Sequence, residues 1–285
     1  MKSRSELSLT LPSLLWLVIF FALPCLLILA LAFRAGDVRG DAAAGWSLET
    51  LRSLADPQYL ELAWRTLWVS AATTLVCLAL ALPVGWSLAR ARPRWRGVLL
   101  LLVIVPFLTN FLIRIFAWRS LLHPEGLVKQ GLVWLHLATE DTMLLNNVGA
   151  VLVVMIYTQL PFAILPLYAA AEKFDFTLLE AARDLGATRV QAFWRVFLPG
   201  IRQGVISAMV IVFVCSLGQY VIPQFIGGTG DEMIGNKIAQ RAFTDRNLPL
   251  ASALSGVLLL VVLVPVVWTG RVRTGRQLNA EGSLP

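Results

Sequence analysis

Glu180 to Pro199 reads EAARDLGATRVQAFWRVFLP, a polar, amphipathic stretch set between two long apolar runs. Thr177-Leu-Leu-Glu180, just ahead of it, fits a capping box: the Thr side chain accepts from the N3 amide and Glu reaches back to the N-cap amide. Gly186 suits a left-handed helix stop. Thr188-Arg-Val-Gln191 is a second capping box. The helix it starts carries Val190, Phe193, Trp194 and Phe197 on one face, and Pro199 ends it. The prediction is helix, sharp turn, helix, with one apolar face. Periodicity alone leaves two uses open: lying on a membrane surface, as basic amphipathic helices do, or docking on a partner.

Working outward, the chain around this loop is that of a membrane protein. Its 285 residues are 58% hydrophobic and only 14% charged, with a mean hydropathy of +0.73; soluble domains carry about 25% charged residues. Several runs reach the roughly 20 apolar residues that span a bilayer as a helix. Six spanning helices are predicted, over Leu11–Phe33, Trp64–Leu88, Val98–Trp118, Val148–Ala170, Ile201–Ile222 and Leu250–Thr269. The first follows Lys2 and Arg4 and contains Ala30-Leu31-Ala32, a pattern that signal peptidase could cut. At 23 residues the run exceeds a signal-peptide core of about 7–15 residues, so it reads as a retained helix. Cys25, Cys77 and Cys215 all sit inside apolar runs and read as small buried hydrophobes, neither disulfides nor metal ligands.

The charge of the loops sets an orientation. With both termini and the second and fourth connections in the cytoplasm, that side holds 14 Lys and Arg against 6 Asp and Glu, and the rest of the chain holds 10 against 11. The net +7 is thereby a sidedness signal; a nucleic-acid patch would not sort itself by alternate loops. Arg90, Arg92, Arg94 and Arg96 in the short second connection contribute most, with Trp86 and Trp95 near the headgroups. The expected organisation is a cytoplasmic segment over 1–10, one transmembrane domain over 11–270 with a structured loop at 176–199, and a cytoplasmic tail over 271–285.

Glu180-Ala181-Ala182, Gly186 and Leu198-Pro199 stand at the spacing of the EAA loop, and the stretch resembles that loop of ABC importer permeases. Val196, where that family more often has Ile, is a conservative departure. The resemblance implies the type I importer permease fold, all-α and polytopic. It implies that Glu180, Ala181, Ala182, Gly186, Leu198 and Pro199 couple the spans to an ATPase. Two ATPase subunits carrying ATP and Mg, a second permease subunit that is a different chain, and an external or periplasmic binding protein are the partners it implies, in the inner membrane of a bacterium. No P-loop of the G-x-x-x-x-G-K-[ST] kind occurs in the chain, so nucleotide is expected on another subunit.

Residues 100–255 also resemble the spermidine/putrescine permease subunits. The stretches that carry this are Pro106-Phe-Leu-Thr-Asn-Phe-Leu-Ile-Arg-Ile-Phe-Ala-Trp118, Asn146-Asn147, Leu160-Pro161-Phe162, Leu165-Pro166-Leu167-Tyr168, Glu172-Lys-Phe-Asp175, Gly227-Gly228 and Met233-Ile-Gly-Asn236. The resemblance implies polyamine import, while related permeases move opines, phosphonates, thiamine or ferric iron. An integral-membrane enzyme or scaffold with a lipid-binding loop is the reading from another class.

The residues themselves mark a path. None of the six predicted spans holds an internal Asp or Glu, although a polycation would be served by carboxylates. Arg114 is the charge well inside a span, and such a residue is a functional candidate by default; it either snorkels to the interface or lines the path beside Asn110. Gln159 and Gln219 either bond between helices or line the path with their neighbours Tyr157 and Tyr220, whose rings, with those of Phe116 and Trp118, can hold cations. His123 and His136, the only histidines, lack partners at ligand spacing, so neither a metal site nor a catalytic group is expected.

Overall fold

The computed structural model describes residues 2–36, 42–137, 139 and 141–281, with side chains over 10–34, 45–137, 139 and 141–264. The predicted charges at Lys2, Arg4, Glu6, Glu140, Arg271, Arg273, Arg276 and Glu281 lie outside the described side chains. The chain forms two compact units, Met1–Ala63 with Ile234–Leu263, and Trp64–Met233 with Val264–Pro285.

In the first unit, helix α1 (Thr10–Ala32) is long and apolar enough to cross a membrane. Its Trp16, Phe20 and Leu26 are exposed, as befits a helix whose solvent is hydrocarbon. Leu29 lies against Gly256. A short antiparallel hairpin follows, Arg34–Gly36 with Ala42–Trp46. Helix α2 (Pro57–Arg90) begins in this unit and continues into the other. Tyr59 and Leu62 pack with Ile234, Leu250 and Leu254. Arg241, on the π-helical turn Gln240–Thr244, pairs with Asp245 at 2.8 Å and donates to the Tyr59 hydroxyl at 3.1 Å.

The second unit holds the remainder of α2, then α3 (Pro93–Leu108), α4 (Phe111–Leu122), α5 (Leu127–Trp134), α6 (Val148–Glu172), α7 (Thr177–Asp184), α8 (Arg189–Gly200), α9 (Arg202–Leu217) and α10 (Val221–Ile226). Helix α11 (Ile234–Ala239) returns the chain to the first unit, and α12 (Leu248–Glu281) closes it. Helices α9 and α6 lie in close contact, because Gly204 presses on Ala170 and a Cβ there would stand 2.9 Å from the Pro166 carbonyl. Small residues at crossings let membrane helices approach in this way. One core of the unit gathers Leu78, Leu88, Leu167, Phe197 and Val212; another gathers Val69, Ile115, Met155, Ile222 and Met233.

Three of the predicted spans stand as continuous helices, α1, α2 and α6; α2 begins at Pro57, well before the expected Trp64. The third, expected over Val98–Trp118, is broken: α3 and the α4–α5 segment meet at 87°. The cause is local. Thr109 turns extended and its hydroxyl donates to the Pro106 carbonyl at 2.7 Å, and Asn110 Oδ1 accepts from the Leu112 and Ile113 amides. Side chains of this kind offer the backbone an alternative to the helix ladder. The fifth span also departs from Ile201–Ile222. It is helical only to Leu217, and Gly218–Tyr220 separate it from α10. At its other end the bend lies at Ile201, 71° between α8 and α9, and not at Pro199, which sits inside a helical turn. The sixth expectation falls on α12, where Leu248–Val264 is an apolar helix shorter than a full span among the described residues.

Candidate functional site: the loop between α6 and α9

The chain leaves α6 at Glu172 and enters α7 at Thr177. Thr177 is not the N-cap predicted for it. Phe176 stands at the N-cap with no side-chain bond, and Asp175 before it accepts from the Thr177 hydroxyl at 2.7 Å and from its amide at 3.0 Å. These two bonds, the hydroxyl's foremost, hold the Asp175 carboxyl below the usual carboxylate range. An acid two residues before the helix competes better for the first amides than the weaker hydroxyl acceptor at its own position.

Helix α7 ends as predicted. Gly186 has φ +90°. The Ala187 amide donates to the Ala182 carbonyl at 3.0 Å and the Gly186 amide to the Arg183 carbonyl at 2.9 Å. This pair of bonds is a Schellman stop. The second capping box also forms, with Gln191 N–H donating to Thr188 Oγ1 at 3.2 Å and Thr188 N–H to Gln191 Oε1 at 3.0 Å. Two short helices are thus joined by a turn that hydrogen bonds define within a dozen residues.

The apolar face of α8 divides. Phe197 is fully buried, Ala192 is buried and Phe193 half-buried, while Val190 is 66% and Trp194 58% exposed. The π-helical turn Phe193–Phe197 changes the helical period, so the expected single stripe becomes an inner and an outer set. The inner set meets the end of α2: Trp86 lies edge-on to Phe197, Phe193 and Phe176 with ring centroids 4.4, 5.5 and 5.6 Å apart. The outer set, with Leu185 at 89% exposure, leaves an apolar surface on an otherwise charged loop. Glu180, Ala181, Gly186 and Pro199 are exposed, and Ala182 and Leu198 half-buried. A cavity of about 300 Å³ beside α7 is lined by Trp86, Arg90, Phe176, Glu180, Arg183 and Arg189.

The candidate path residues are placed differently. Asn110 caps α4. Arg114 lies over the rings of Phe107 and Phe111, at 5.3 and 5.9 Å. Tyr157 meets Trp118 at 5.3 Å, and Phe116 meets Phe225 at 5.1 Å, so ring contacts tie α4 to both α6 and α10. Gln159 is 2% exposed, and its Oε1 has no hydrogen-bond partner among the described residues. Gln219 and Tyr220 lie on the non-helical break before α10 rather than inside a span. The sequence reading missed a polar row on α2. Thr66, Ser70, Thr73 and Cys77 are all fully buried, and their spacing of three to four residues was the available signal. Among the described residues no cluster of His, Cys, Asp or Glu could hold a metal ion.

Residues 81–271 match the family model described as "Binding-protein-dependent transport system inner membrane component". The chain is similar to the spermidine/putrescine transport system permease protein PotB of Haemophilus influenzae, 35% identical over 270 residues, covering 94% of this chain and 93% of that one. The protein of the same name from Escherichia coli K12 is 35% identical over 271 residues, covering 94% and 97%. A solved bacterial ABC transporter involved in the import of the acidic polysaccharide alginate has a chain that superimposes with a TM-score of 0.76, at 19% identity, over 95% of each chain.

Proposed function

We propose, from the premise that the chain belongs to the binding-protein-dependent transport system inner membrane component family and is the permease subunit of an ABC importer whose ATPase is a separate subunit, that it carries polyamines and is driven through the loop over 176–199. The polyamine assignment is supported by 35% identity along 94% of the chain to spermidine/putrescine permeases.

One observation carries the coupling role. Leu185, Val190 and Trp194 are exposed on a loop whose turn and second cap are closed by hydrogen bonds and which otherwise carries Glu180, Arg183, Asp184, Arg189 and Arg195. Large apolar side chains held out in this way mark a surface with a partner. The partner is an ATPase subunit, one on this loop and one on the equivalent loop of a second, different permease chain. Glu180, Ala181, Ala182, Gly186, Leu198 and Pro199 form the surface and joint of that contact. ATP and Mg belong to the ATPase pair, and this chain binds no cofactor. The loop lies in the cytoplasm with both termini, over a multi-pass inner-membrane domain at 11–270. An external binding protein delivers the solute to the opposite face. Asn110, Arg114, Tyr157, Gln159, Gln219 and Tyr220 are the residues of this chain assigned to the solute's path.

A second reading, import of an anionic solute, is favoured by Arg114, whose guanidinium stacks on Phe107 and Phe111 in a segment without carboxylates. Uptake of labelled spermidine by vesicles holding the whole importer and its binding protein distinguishes the two. Saturable, ATP-dependent spermidine uptake is expected. Its absence from the wild-type importer removes the polyamine reading, and failure of an ATPase subunit to co-purify removes the coupling role.

A further inference from the structure

The loop over 176–199 is joined to the membrane covalently through α6 and, across the 71° bend at Ile201, through α9. It has no direct covalent link to α2, yet its tightest aromatic contact, that of Phe197 with Trp86, is made there. Trp86 stands one helical turn before the end of α2 and touches rings from three places in the loop. Phe176 precedes α7, and Phe193 and Phe197 belong to α8. Phe174 completes the group, 5.2 Å from Phe197 and 5.5 Å from Phe176. The Arg90 guanidinium closes its open side, 5.4 Å from the Trp86 ring and 5.8 Å from that of Phe176.

Resting on the coupling role proposed above, we propose that Trp86 is the positioning residue through which the loop grips α2, so that movement imposed by the ATPase enters the second span as well as the fifth. Two observations fit this assignment. Gly85, the preceding residue, makes the close approach of α2 to α6: a Cβ there would stand 3.3 Å from Leu167 Cβ and 3.4 Å from the Tyr168 amide. Helix α2 therefore touches α6 at one residue and the loop at the next, and a shift of the loop relative to α6 acts on α2 as a lever beside its bearing. Second, Phe197, the residue Trp86 touches most closely, is the largest fully buried side chain among the described residues. Close-packed interiors transmit displacement instead of absorbing it.

The test uses the complete importer in vesicles, with its ATPase subunits, second permease and binding protein. Trp86→Ala and Trp86→Phe are compared with wild type for ATPase co-purification, ATP hydrolysis with and without loaded binding protein, and uptake. Trp86→Ala is expected to retain the ATPase at the wild-type ratio and to hydrolyse ATP. Stimulation by the loaded binding protein and uptake should both fall about tenfold, the factor given by loss of one or two aromatic contacts. Trp86→Phe keeps the nearest contact but fills less of the cluster, and should give stimulation and uptake clearly between those of Trp86→Ala and wild type. Unchanged stimulation and uptake in Trp86→Ala would overturn the proposal. So would loss of uptake in proportion to lost ATPase subunits, which marks a merely structural residue. If Trp86→Ala does not insert, Trp86→Phe decides: a partial fall in stimulation with full ATPase content supports the grip, and wild-type behaviour overturns it. A wild-type complex that neither binds an ATPase nor requires ATP defeats the coupling role itself, and the grip with it.

Discussion

Arg96 Nη1 donates to Glu172 Oε1 at 2.7 Å, tying the start of α3 to the end of α6, 76 residues away in sequence. Arg96 Nη2 also donates to the Ala89 carbonyl at 3.0 Å. One guanidinium thus joins the end of α2, the start of α3 and the entrance to the coupling loop.

Both ends of this ion pair are partly open to solvent, so its contribution is small. Glu172→Gln is expected to lower stability by about 0.2–1 kcal/mol, less at high salt. Thermal unfolding in detergent at low and high ionic strength measures this. A loss several times larger would show that the pair does more than bridge a surface.

Gly186 adopts φ +90° with open space where a Cβ would stand, so substitution is penalised by backbone conformation and not by collision. Gly186→Val should cost about 1–2 kcal/mol and misdirect α8. Uptake and stimulated ATP hydrolysis should fall together while the chain still inserts. Normal uptake by Gly186→Val would show that the turn is not the joint.

Trp194 is 58% exposed on α8, in the position of an interface anchor. Trp194→Ala should weaken ATPase association by about 2 kcal/mol or more, the scale of an aromatic hot spot, roughly a thirtyfold change in affinity, with little effect on the stability of the free permease. Co-purification at graded ATPase concentrations reads it. Undiminished association would place the docking surface elsewhere on the loop.

Arg114→Gln separates the two solute readings. If a polycation passes Arg114, the substitution removes a repulsion, and spermidine uptake should persist or quicken. If an anion binds there, loss of a charge-assisted hydrogen bond should cost about 1.5–3 kcal/mol or more, and uptake of a labelled phosphonate should collapse. Reconstituted vesicles supplied with each solute in turn give the comparison.

Composition and periodicity determined that the chain is a helical membrane protein with a two-helix loop, because hydrocarbon demands long apolar helices. The stop at Gly186 and the box at Thr188 and Gln191 were equally legible, since each is closed by hydrogen bonds spanning at most five residues. The break at Thr109-Asn110 lay in the sequence too, as a Thr-Asn pair just after Pro106, but an apolar run outweighs such local signals when hydropathy is read alone. Only the tertiary structure decided which apolar residues of α8 turn inward. Phe197 is buried, Phe193 half-buried and Trp194 exposed because Trp86, about a hundred residues away in sequence, supplies rings to pack against on one side only. No periodicity within α8 holds that information, since burial depends on the surface that arrives from another helix.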